Sequence, residues 1–123
     1  MAQGYRKDRR FPRIPAEHAV LVRLLGGPPF EGFAKTRVLG LGGCMFVNPE
    51  SLGYGSLMEL LISVSGKVIR ADARVAYEIP KGREHQVGVE FLRLHPADRE
   101  ILSSLIVRTQ AQEKAAAARA RAS

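Results

Sequence analysis

Between Val68 and Tyr77 the chain alternates: Ile69, Ala71, Ala73, Val75 and Tyr77 are apolar or aromatic, while Arg70, Asp72 and Arg74 between them are charged. A repeat of two puts successive side chains on opposite faces only in an extended strand; in a helix the same residues would scatter charge around the circumference. The chain therefore has to build a sheet with one face on a core and one in water.

The remaining sequence supplies partners for that strand. Ala19 to Leu25 is apolar and extended, and it stops at Gly26-Gly27-Pro28-Pro29, a turn by composition. A second strand is expected from Phe30 to Leu39. After Gly40-Leu41-Gly42-Gly43 a third, Cys44 to Val47, is so apolar that burial on both faces is expected. Asn48-Pro49 and Gly53-Tyr54-Gly55 mark a loop, Leu57 to Ile62 reads as a fourth strand, and Ser63 to Gly66 turns into the alternating segment. Past Pro80-Lys81-Gly82, the stretch Gln86 to Leu92 points Val87, Val89 and Phe91 inward. Six short strands at this spacing predict a mainly β fold, a small six-stranded antiparallel β-barrel.

At Pro96 the period changes. Proline at a first helical position, acids in the first turn and the stripe Ile101, Leu102, Leu105 and Ile106 predict a C-terminal α-helix that packs on one end of the barrel. His95 belongs to its start. Beyond Val107 the alanines keep helix propensity but offer no large apolar residue to bury, so this part is expected to fray or extend into solvent. Three segments result: a flexible basic arm over 1–13, a barrel plus helix over 14–107, and an Ala/Arg-rich tail over 108–123.

Charge falls unevenly on these segments. The formal net charge of +7 calls for an anionic partner. Residues 1–13 carry five basic residues and one acid, residues 108–123 four and one, and the body between them ten of each. A neutral body argues against a broad basic face tracking a nucleic-acid backbone, and only Tyr5 and Phe11 accompany the arm as stacking rings, with no tryptophan in the chain. Nucleic acid is thus the poorer fit. The single Cys44, in an apolar run, reads as a buried thiol of a reducing, cytoplasmic compartment, and no apolar run is long enough to cross a membrane.

Catalytic and metal chemistry find no foothold. There is no GxSxG elbow, no CxxC, and no HxxxH or HExxH among His18, His85 and His95. Glu59, Asp72 and Glu90 sit at alternating strand positions and read as a solvated outer face. The expectation is a binding protein with no catalytic residue, cofactor or metal.

Two features could hold a ligand. Arg9 and Arg13 stand four apart, as do Arg6 and Arg10, and guanidinium forks suit phosphate, the face of a purine, or the O6 and N7 edge of guanine. On composition alone, a solvated basic tail is the better account of the arm. The cluster Gly40 to Gly43 lets a ligand approach backbone amides, or simply makes a bulge between two buried strands. It is not a P-loop, since no Lys-Ser or Lys-Thr follows.

Taken in order, Arg9 to Arg13 as RxxxR before the first strand, the glycine entry to Cys44-Met45-Phe46-Val47, the strand Gly88-Val89-Glu90-Phe91 and the closing helix resemble the PilZ domain family over about residues 6 to 107. The resemblance implies a split barrel that binds the bacterial second messenger cyclic di-GMP through Arg9, Arg10, Arg13, Gly40 and Gly43. It further implies ordering of the arginine arm on binding, a protein partner that receives the signal, no membrane insertion, and a role in motility or biofilm regulation. The family's second motif, D/NxSxxG, is altered: with Gly43 as its last residue, Val38 stands for the acid or amide and Gly40 for the serine. An acceptor and a hydroxyl are lost, each hydrogen bond worth about 1–3 kcal/mol. A nucleotide-independent PilZ-fold adaptor of pilus or motility machinery is the alternative this departure favours, with a nucleic-acid-binding barrel third.

Overall fold

A computed structural model describes residues 13–26 and 31–122. Seven strands and one helix follow in order: β1 (Arg13–Pro15), β2 (Ala19–Leu24), β3 (Glu31–Gly40), β4 (Gly43–Asn48), β5 (Leu57–Val64), β6 (Lys67–Lys81), β7 (Glu84–Leu94) and α1 (Pro96–Ala122). All pairings are antiparallel, in the order β1-β3-β2-β5-β6-β7-β4, and a further β3–β4 pairing closes β2 to β7 into a six-stranded barrel with β1 outside it. The predicted barrel and helix are therefore present.

The alternating segment behaves as its period requires. Ile69, Ala71, Ala73 and Val75 are buried, and Arg70 and Arg74 are exposed. The register then shifts between Val75 and Tyr77, so the bulged strand bends where the barrel must curve. The core is a continuous cluster from every barrel strand, including Val20, Val22, Leu39, Phe46, Leu60, Ile62, Val87 and Val89, each fully buried. At roughly 25 cal/mol per Å² of apolar surface, this burial is what closes the sheet.

Two expectations change. Cys44 to Val47 is not buried on both faces: Cys44 and Phe46 point inward, whereas Met45 and Val47 are only half-buried on the outside. A closed barrel has one inside, so even a wholly apolar strand alternates. The arm does not run through Arg13 either, because Arg13 to Pro15 forms β1 on the end of β3. Three residues with a proline carry no strand period of their own, and the pairing that makes them a strand is long-range.

β1 and β2 lie end to end along one edge of β3, with β4 on the other. Their link is tied to the fully buried Thr36, whose Oγ1 donates to the Ala16 carbonyl at 2.6 Å and accepts from His18 N at 2.9 Å. Ala16 N also donates to the Arg37 carbonyl at 3.1 Å, and Thr36 N to His18 O at 2.9 Å. These bonds fix where β1 sits.

His95 starts α1 as expected: its Nδ1 accepts from Ala97 N at 3.1 Å, and its carbonyl takes the first helical bond, from Arg99 N at 2.9 Å. Asp98 in the first turn accepts from Arg70 N at 3.2 Å. Leu102 and Ile106 are buried where the helix meets β1, β5 and β6. Beyond Val107 the chain stays helical to Ala122, and every residue from Gln110 to Ala122 is exposed.

Candidate functional site

The two candidate ligand features, separate in sequence, meet at one edge. The register of β1 on β3 sets Arg13 opposite Gly40, Ile14 opposite Leu39 and Pro15 opposite Val38. Facing residues of an antiparallel pair share a side of the sheet. Ile14 and Leu39 are buried in the core at 1% and 0% exposure, so Arg13, Gly40, Pro15 and Val38 all belong to the outer side. The last arginine of RxxxR thus stands directly across from the glycine in the serine position of the second motif. Arg9 and Arg10 lie outside the described residues.

The glycine turn continues this edge. Gly40 ends β3, Gly43 begins β4 opposite Glu90, and the Gly42 carbonyl accepts from Phe91 N at 2.8 Å. Gly43 is required there, because a Cβ would collide with the carbonyl oxygen of Val89 on β7. The cluster is a tight handover between two strands, and its backbone lies beside the edge that carries Arg13.

Beside that edge the outer face is apolar. Val38 pairs with Met45, Met45 with Gly88, and Gly88 with Tyr77, so one row crosses β1, β3, β4, β7 and β6. The Tyr77 ring fills the space that a side chain at position 88 would need. Val38, Met45 and Tyr77 are half-buried and Pro15 is exposed. Sequence reading missed this row because its members come from five strands; only the register aligns them.

The carboxylates are engaged elsewhere. Glu59, expected on a solvated face, is only 9% exposed and is held by Arg23 at 2.8 Å and by Arg70. Arg23 also pairs with Glu31 at 2.8 Å, and the hydrogen bond and charge of Glu31 lead in raising the Arg23 pKa. Glu90 is paired with Arg74. Glu78, which no sequence motif flagged, accepts from Ser51 Oγ and Leu52 N at 2.7 Å each and from Gly53 N at 3.2 Å. Burial opposes its ionisation, yet these bonds and the nearby charge of His85 hold its carboxyl below the ordinary range.

Burial pushes the Cys44 thiol up to about 12, which leaves it protonated and unreactive at neutral pH. Among the described residues no cluster of three or more His, Cys, Asp or Glu could hold a metal ion, and no helix is long and apolar enough to cross a membrane.

Comparisons with known proteins agree with this fold. The described fold superposes on the Bacillus subtilis inhibitor of motility MotI/DgrA with a TM-score of 0.73 at 20% identity, covering 85% of this chain and 52% of that one. YcgR from Escherichia coli in complex with cyclic di-GMP gives 0.70 at 20% identity, over 90% of this chain and 50% of its own. The chain thus spans about half the length of either. The PilZ domain of YcgR alone, also with cyclic di-GMP, gives 0.64 at 19% identity over 88% of this chain and 97% of that domain. A sequence comparison with curated proteins finds no match. The PilZ domain model matches residues 7–108, from before RxxxR to the buried part of α1, and the chain belongs to the PilZ domain family.

Proposed function

We propose that the chain is a cyclic di-GMP receptor whose ligand binds at the edge where β1 meets the end of β3. The observation that carries this reading is the Arg13–Gly40 register, which joins the two candidate motifs on the outer side of the barrel. Arg9, Arg10 and Arg13 supply the cations that a ligand with two phosphates requires, gripping phosphate and base, and Gly40 to Gly43 offer backbone close at hand. The cyclic di-GMP complexes of YcgR and of MrkH from K. pneumonia among the similar structures support the same ligand class.

Signalling would follow from ordering of the arginine arm around the ligand, which makes a new surface for a protein partner. No bond is made or broken, so the protein acts as an adaptor and not as an enzyme, in the cytoplasm and in control of motility or biofilm formation. Val38 and Gly40 favour a second reading, a PilZ-fold adaptor that binds its protein partner without nucleotide.

Calorimetric titration at physiological salt, with GTP as control, decides between them. The receptor reading expects saturable binding of cyclic di-GMP that GTP does not mimic and that Arg9→Ala or Arg13→Ala weakens at least tenfold. No heat, together with an unchanged NMR spectrum at millimolar ligand, would leave the nucleotide-independent adaptor.

A further inference from the structure

We propose that the outer face of β3, β2 and β5 around Phe33 is the docking surface for a protein partner, and that this partner presents an acidic segment anchored by an aliphatic side chain. The proposal goes beyond the receptor reading and does not depend on it: Phe33 lies toward the other end of β3 from Gly40, and the test needs no nucleotide.

The pairing registers set Phe33 across from Leu21, Leu21 across from Leu61 and Leu61 across from Arg70, so these four side chains form one row over four strands. Phe33 is 81% exposed although it sits within a regular strand, while Leu21 and Leu61 are half-buried between it and Arg70. The ring takes no part in the core cluster. A guest side chain laid over Leu21 and Leu61 is flanked by the Phe33 ring at one end and by the aliphatic stem of Arg70 at the other. Aromatic anchors beside such apolar floors supply much of the binding energy of protein interfaces. Nucleic acid fits less well, because bases stack on successive rings and this row has one.

Charge selects the partner. On one side the row is bordered by Glu31, Arg23 and Glu59, whose charges answer one another. On the other side Lys35, across from Ala19, and Arg37 follow Phe33 along β3; both are exposed, and neither makes an ion pair among the described residues. Arg108 reaches the turn after β5, where its Nη2 donates to Ser65 Oγ at 3.1 Å. Glu17, just before β2, is an exposed acid on that side. The excess is positive, so carboxylates flanking the partner's apolar residue meet cations, whereas a second copy of this chain would bring the same positive excess against it.

Fluorescence anisotropy of a labelled peptide of two leucines flanked by glutamates, titrated with the full chain, tests this, with a counterpart carrying lysine for glutamate as control. The expected result is saturable binding of the acidic peptide alone, weakened at least tenfold by Phe33→Ser and by Lys35→Glu. Melting temperatures should stay unchanged, because both side chains are exposed. No binding at millimolar chain, equal binding of the two peptides, or indifference to both substitutions overturns the proposal. So does a dimer in sedimentation that Phe33→Ser dissolves, which assigns the surface to a second copy, and so does oligothymidylate binding that Phe33→Ser abolishes. These outcomes leave the receptor reading standing, and failure to bind cyclic di-GMP leaves this proposal standing.

Discussion

Two arginine-bearing regions of the outer barrel surface are built in opposite ways. On the strands β3, β2, β5 and β6, Glu31, Arg23, Glu59 and Arg70 join in one chain of ion pairs, with Arg23 opposite both Glu31 and Glu59 across the strands. At the β1–β3 edge, Arg13 faces a glycine, and the row beside it is Pro15, Val38, Met45 and Gly88. The first region answers its own charge and so contributes to register and closure. The second sets an arginine beside a row of apolar residues and glycines, the kind of surface that the proposed ligand, an anion with flat rings, would use. Arginine content therefore says little about function until the partner across the strand is known.

Substitutions should split the two regions cleanly. The largest effect is expected from Gly43→Ala, because the added methyl meets the backbone of β7 and neither side can yield cheaply. Overpacking of this kind costs about 1–3 kcal/mol or more, so thermal denaturation should show a fall of several degrees together with loss of ligand binding. Arg13→Ala should weaken cyclic di-GMP about ten- to hundredfold, the worth of a charge-assisted hydrogen bond, while moving the melting temperature by under about 2 °C. Glu59→Gln should do the reverse. It removes the charge between Arg23 and Arg70, and with both arginines largely in water the cost is about 1 kcal/mol, roughly 4 °C in melting temperature, with affinity unchanged. If Glu59→Gln lost affinity and Arg13→Ala did not, the assignment of the two regions would be inverted.

The smallest effect lies in acid. The folded-state pKa of Glu78 is depressed, so its contribution to stability is present above the ordinary carboxylate pKa and is lost as pH falls through the lower folded value. Acid denaturation followed by circular dichroism should therefore show Glu78→Gln less stable than wild type at neutral pH, the gap closing below about pH 4.

Much of the barrel was legible because its signals are local. Ile69, Ala71, Ala73 and Val75 display the strand period, and His95-Pro96 announces the helix. What was hidden depends on register. Arg13 to Pro15 looks like the end of a polar arm until Thr36 ties the following link and β3 accepts it as a strand. Glu59 looks solvated until Arg23 and Arg70, 36 residues before and 11 after it, close over it from neighbouring strands. The helix beyond Val107 was legible in its alanines but not in its extent, since nothing is buried there to mark an end. For the site, the motif pattern named Arg13, Gly40 and Gly43, and β-sheet pairing placed them together; the row Val38, Met45, Gly88 and Tyr77 has no sequence pattern to betray it.

Under the proposed function, ligand binds at the β1–β3 edge and not along the charged row. Amide chemical-shift mapping of the isotope-labelled chain, titrated with cyclic di-GMP, tests it directly. The largest shifts are expected at Arg13, Ile14 and Val38 to Gly43, with Leu21 to Arg23, Glu59 and Arg70 unmoved. Shifts centred on Arg23, Glu59 and Arg70, or none at saturating ligand, would contradict it.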